Sequence, residues 1–252
     1  MKRLAFIPFL VGIIASLGML LETDRGAMYH RVVLILVALT TALSAFLTAR
    51  YFAREDRLFA CFFLIGAGYS LAAIRYMLRV ITLLNGMTFN STMLSAMLIL
   101  QNAAIAIALF LFVRAWRATG LAAPGSRATQ TLMIVAGVLV AIVVGGYPLA
   151  RGIANANADL VLLVSTVGDM VGIALIVPLA LSALAMRGGL LMHTWIYLAA
   201  SEAVWLVYDI WYSLRPAVFA PNTVRGIEEG IRVVAILFAL AATVAQRRAI
   251  RA

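Results

Sequence analysis

Eight long apolar runs follow one another along the chain, at about 4–21, 31–49, 58–82, 92–113, 130–148, 160–185, 192–213 and 223–245. Only short polar connections separate them. A helix rises about 1.5 Å per residue, so each run approaches or exceeds the length that crosses a hydrocarbon core of about 30 Å. Lipid offers no hydrogen-bond partner to the backbone, which leaves helices and closed barrels as spanning structures. A barrel strand alternates apolar and polar residues over about ten positions, whereas TLMIVAGVLVAIVVGG, from Thr131, does not alternate. The expected fold is all-α: a polytopic membrane bundle of about eight helices, residues 1–252 forming a single integral domain with no soluble domain.

Composition agrees. Hydrophobic residues make up 65% of the chain and charged residues 12%, against roughly half and a quarter in soluble domains. The net charge of +10 is spread over the connections rather than gathered in a stripe. That distribution argues for membrane anchoring and topology, not for nucleic acid. Cys61 is the only cysteine, which excludes an intrachain disulfide and a multi-cysteine metal site.

With the N-terminus inside, inner segments hold Lys2, Arg3, Arg50, Arg54, Arg57, Arg114, Arg117, Arg127, Arg187, Arg247, Arg248 and Arg251, and outer segments hold eight arginines. The bias places both termini in the cytoplasm, and the expected location is the inner (plasma) membrane. The first run also has the look of a signal peptide, but it exceeds the usual h-region and lacks an A-x-A site. It is expected to remain as the first helix; cleavage would leave seven.

Ionisable residues within spans cost at least about 2.5 kcal/mol near the bilayer centre and face protein or water. Asp169 lies well inside the sixth run and Glu202 near the middle of the seventh, with Asp209 about a turn from its outer end. Arg75 and Arg79 fall in the outer half of the third run, and Glu228, Glu229 and Arg232 in the first turns of the eighth. The inner halves of these runs carry almost no charge. This asymmetry predicts a polar chamber among runs three, six, seven and eight, open to the extracytoplasmic side and floored by Gln101 and Asn102. On the seventh helix, Trp195, Glu202, Trp205, Asp209 and Tyr212 fall on one stripe, with Tyr208 beside it. Acids and ring faces together suit an organic cation; they equally suit pairing with Arg75, Arg79 or Arg232. Gly168, Gly172 and Pro178 make the sixth helix a candidate moving part.

Several functions are excluded or disfavoured. The only lysine is Lys2, so retinal cannot be held as a Schiff base in a final helix. Gly168-Asp169 and Tyr208-Asp209 have the reverse order of the intramembrane aspartyl protease motifs, and Thr166 replaces the first glycine. His30 and His193 are expected on opposite sides, which disfavours bis-histidine haem. There is no H-E-x-x-H, P-loop or Ser/His/Asp arrangement, and no enzyme activity, metal or cofactor is expected.

GDMVGIALIVPLALSALAMRGG followed by HTWIYLAASEAVWLVYDIWYSL resembles the multi-helix membrane sensory regions of bacterial signalling proteins. The likeness rests on a G-D near the outer side, a P-L run, an R-G-G turn and a later W…D helix, over about a quarter of the chain. It implies a sensor of a small ligand or of membrane state. Those regions usually lead into an output domain, whereas this sequence ends at Arg251-Ala252, so the signal is expected to pass through a separate partner. The expected ligand-binding residues are Asp169, Glu202, Trp205, Tyr208, Asp209, Tyr212, Arg75, Arg79 and Arg232. The expected partners are the lipid bilayer, a small molecule from the extracytoplasmic side and a separate output or complex protein, with no nucleic acid. A small proton-coupled transporter and a non-catalytic accessory subunit of a membrane complex are the alternatives.

Overall fold

The computed structural model describes residues 2–21, 23–86, 89, 91–154, 160–214 and 220–252. Eight α-helices occupy almost all of them, and no strand occurs among the described residues. They are α1 (Lys2–Ser16, extended by a 3-10 turn at Leu17–Leu20), α2 (Thr23–Ala49), α3 (Arg57–Asn85), α4 (Ser91–Ala118), α5 (Arg127–Ala154), α6 (Leu160–Ala185), α7 (Met192–Leu214) and α8 (Pro221–Arg251). Local chemistry sets the ends of α3. The Asp56 carboxylate accepts a hydrogen bond from the Leu58 amide at 2.8 Å, and Gly86 closes the helix at φ 64°. Arg215, an expected outer arginine, lies outside the described residues.

Five helices, α2 to α6, are long and apolar enough by themselves to cross a membrane. The apolar part of α1, Phe6–Leu20, is shorter, and α7 and α8 are not among the five. The reason is physical. Helices α7 and α8 carry Glu202, Asp209, Glu228, Glu229 and Arg232, and α8 meets α1, α2 and α7 on different sides. Val233 to Ala239 of α8 are all buried, so protein rather than lipid covers much of that helix.

The neighbour relations close a ring. Helix α2 packs on α3, α3 on α4, α4 on α6, α6 on α7, α7 on α8, and α8 returns to α2. Helix α1 sits outside against α8, and α5 outside against α6. The outer surface is apolar: Leu36, Leu39, Leu43 and Leu47 of α2 and Leu132, Val135, Leu139 and Val143 of α5 are exposed at helical spacing. An apolar face of this extent suits hydrocarbon better than water.

At the end of the ring that carries the termini, the centre is filled by rings. Phe52 stacks on Phe62 with centroids 5.9 Å apart, Phe62 meets Phe112 edge-on at 5.1 Å, and Phe112 meets Trp195 at 5.4 Å. Phe62 and Phe112 are fully buried and Trp195 nearly so. A polar seam joins α2 and α8 beside this plug. Ser44 Oγ and Thr243 Oγ1 lie 2.6 Å apart, and Arg247 Nη2 donates to Ser44 Oγ at 2.8 Å.

Candidate functional site

Above the aromatic plug, towards the end away from the termini, the interior becomes polar. Tyr69 of α3, 3% exposed, directs its hydroxyl at Ser201 and Trp205 of α7, close to Glu202. Ser201 Oγ donates to the Ala235 carbonyl of α8 at 2.9 Å, which ties α7 to α8 at this level. Gln101 of α4 is buried, and its Oε1 accepts no hydrogen bond. Its neighbour Asn102 packs against Gly168 of α6. The expected floor residues therefore sit where α4 meets α6, next to Asp169.

Glu202 is 8% exposed. Its carboxylate lies on the backbone of Gly172, where an added Cβ would collide with Oε2. The missing side chain at Gly172 leaves the space in which the Glu202 carboxylate lies against α6. Asp169, Glu202 and Asp209 all lie within electrostatic reach of one another, and Arg232 lies within reach of Asp209. The structure thus gathers three acids from two helices into one cluster between α6 and α7. Among the described residues, no hydrogen bond or ion pair is made by any of these carboxylates. Like charges held together without partners in a membrane interior are costly.

The arginines are engaged elsewhere. Arg232 Nη1 donates to both oxygens of Glu229, at 3.1 and 3.3 Å. Its Nη2 donates to the Tyr208 hydroxyl, and the guanidinium lies over the Tyr208 ring at 4.6 Å from the centroid. The sequence offered Arg232 as a partner for the α7 acids; in the structure its hydrogen bonds go to Glu229, three residues earlier, and to Tyr208. Arg75 is buried with Nε unpartnered, its guanidinium 5.4 Å from the centre of the Tyr76 ring. Arg79 is exposed, and its backbone carbonyl accepts from Arg31 Nη1 at 2.9 Å. Arg31, Arg75, Arg79 and Arg232 form a loose basic group on α2, α3 and α8, with Arg232 its member within reach of Asp209.

The aromatic stripe of α7 divides between two levels. Trp195 belongs to the plug, while Trp205 meets Tyr208 edge-on at 5.7 Å and Tyr208 meets Tyr212 at 5.9 Å. Tyr212 is 40% exposed, so it stands at the rim and not inside. Glu228, in the first turns of α8, is buried. Tyr69 and Ser201 are contributors that sequence reasoning did not single out; neither carries a charge or motif to mark it. Comparison with protein families, with curated proteins and with solved structures finds no match to this chain.

Proposed function

We propose that the chain is a multi-pass membrane receptor or sensor whose acid cluster receives a cationic group from the extracytoplasmic side. The observation that carries this reading is the set of three unpaired carboxylates, Asp169, Glu202 and Asp209, held together between α6 and α7. A monovalent organic cation answers both features of the site, carboxylates that make no hydrogen bond or ion pair among the described residues and the adjoining Trp205 face. Arg232 already covers Tyr208, which leaves Trp205 as the ring most available to a ligand, with Tyr212 at the rim. Arg75, Arg79 and Arg232 form a basic wall and limit how many positive charges the site accepts. The signal would pass to a protein or domain outside these helices, in keeping with the resemblance of α6 and α7 to bacterial sensory regions. In this reading all eight helices cross the inner membrane, with both termini in the cytoplasm.

A proton-coupled carrier is the second reading, because adjoining carboxylates without partners are also what a titrating site needs. The plug of Phe62, Phe112 and Trp195 below the acids weighs against it, since it leaves no polar route to the other face. One set of measurements separates the two. Choline and its uncharged isostere 3,3-dimethylbutan-1-ol are titrated into purified protein by calorimetry. Choline is expected to bind, the isostere not, and Glu202→Gln is expected to weaken choline at least about tenfold, equal to about 1.4 kcal/mol. Equal binding of both probes, or no effect of Glu202→Gln, would overturn the cation site. Uptake of choline into proteoliposomes, abolished by Asp169→Asn, would favour the carrier instead.

A further inference from the structure

The acid cluster and the basic group lie at one depth in the bundle, yet neither neutralises the other. Counted from the helix ends away from the termini, Arg75 is ten residues into α3 and Arg232 eleven into α8. Asp169 is nine residues into α6 and Glu202 twelve into α7. At about 1.5 Å per residue, all four lie roughly 14–18 Å below those ends. Charge links the two groups sideways. Arg232 acts on Asp209 and on Arg79, the Tyr76 phenol of α3 acts on Arg79, Arg232 and Tyr69, and Tyr69 feels Glu202.

Arg75 is the anomaly at this level. It is 8% exposed and makes no hydrogen bond or ion pair among the described residues. Nε is sealed, whereas the two terminal nitrogens are not, so the charged end of the side chain borders open space. Gly68, two turns below on the same side of α3, packs on Ile105 and the Gln101 carbonyl of α4. Arg75 is therefore turned towards α4 and not towards lipid. The groups that act on Arg79 are Arg75, Arg232, Arg31 and Tyr76, with no carboxylate among them. Glu229, the nearest acid to the group, is taken by Arg232. A buried guanidinium without an acceptor is costly in a membrane interior, and so are three carboxylates without donors. Unpaired charges of both signs at one depth are accounted for if a single body completes both.

We propose that the ligand is a zwitterion, with its cationic group on Asp169, Glu202 and Asp209 and its carboxylate on Arg75. This rests on the reading of the acid cluster as a cation site. With Nε sealed, the guanidinium offers its two terminal nitrogens end-on, a fork that matches the two oxygens of a carboxylate. Arg79 adds positive charge beside Arg75. Arg232, within reach of both groups, keeps its hydrogen bonds to Glu229 and Tyr208. A phospholipid headgroup is the wrong source for the anion. Its phosphate lies at the bilayer surface, whereas Arg75 is about 15 Å below the end of α3. A soluble betaine or amino-acid derivative answers the site.

The test uses the full chain purified in non-ionic detergent. Trimethylammonio carboxylates of graded chain length, from glycine betaine upward, are titrated by calorimetry, each against its carboxamide, with choline alongside. Next to acids alone, the added carboxylate would weaken binding by repulsion; on Arg75 it strengthens it. At least one chain length is expected to bind tenfold or more tighter than its carboxamide. In Arg75→Gln that ratio is expected to fall to one or below. The ratio is read within one protein, so a general change in cation binding cancels. The variant removes a buried unpaired charge, so its thermal midpoint is expected at or above that of the parent. Choline binding with no chain length preferring the carboxylate, or a preference that survives Arg75→Gln, would overturn the zwitterion and leave the cation site standing. Failure of choline and of every carboxylate would remove the cation reading and the zwitterion together.

Discussion

Gly172 and Glu202 make the most demanding contact in the acid cluster. A methyl group at Gly172 would occupy the place of the Glu202 carboxylate, but the atom it meets is the far end of a flexible side chain. The carboxylate can swing aside while the helices stay where they are. Alanine also gains up to about 1 kcal/mol over glycine inside a helix. Gly172→Ala is therefore expected to keep or slightly raise the thermal midpoint while weakening choline binding as Glu202→Gln does. A variant that binds choline normally would show that the carboxylate position on Gly172 is irrelevant to the site. Asp169, Glu202 and Asp209 were legible in the sequence because charge in an apolar run is conspicuous. Tyr69 and Ser201 were not, because each is an ordinary residue whose importance comes from a neighbour on a distant helix. The partner of Arg232 was half legible: Glu229 is three residues away on the same helix, while Tyr208 is twenty-four residues away on α7.

Among the elements, α1 depends on a seam of small residues against α8. A Cβ at Gly226 would come within 2.9 Å of the Ser16 carbonyl oxygen, and one at Gly230 within 3.0 Å of the Gly12 carbonyl oxygen. Backbone oxygens cannot rotate away, so a methyl there must push the helices apart. Gly226→Ala is expected to destabilise the protein by about 1–3 kcal/mol, the usual range for overpacking. Gly146→Ala of α5, whose added methyl would meet nothing closer than Ile142 at 3.9 Å, is expected to be neutral or mildly stabilising. Thermal unfolding of the two variants in the same detergent compares them directly; equal midpoints would refute the seam. The apolar runs located every helix but fell short of several ends. Helix α2 begins at Thr23, not near 31, because Asp24, Arg25, His30 and Arg31 interrupt the apolar pattern without interrupting the helix. The order of packing was not legible at all. That α4 meets α6, with α5 displaced to the outside, depends on which faces fit together rather than on the period of either helix.

For the molecule as a whole, the helices alternate in direction, and this fixes how the basic residues are distributed between its two ends. By sequence, twelve lysines and arginines fall in segments assigned to the side of the termini and eight in segments assigned to the other. Of those eight, Arg31, Arg75, Arg79 and Arg232 stand on helices in the basic group and are not loop charges. Setting them aside leaves twelve against four, a stronger bias than the raw count. In the proposed orientation the acid cluster faces outward and the aromatic plug inward. Reporters fused at the N-terminus and at the C-terminus, each active only in the cytoplasm, are both expected to be active. A cysteine placed at Asn222 is expected to react with a membrane-impermeant maleimide added to intact cells, whereas one at Arg187 is not. Cys61 is fully buried and gives little background in that assay. Labelling at position 187 without labelling at 222 would invert the molecule and move the cation site to the cytoplasmic side. Reporters active at one terminus only would mean that an odd number of helices crosses the membrane, and the cleavable or non-spanning candidate would then be α1, the shortest apolar helix.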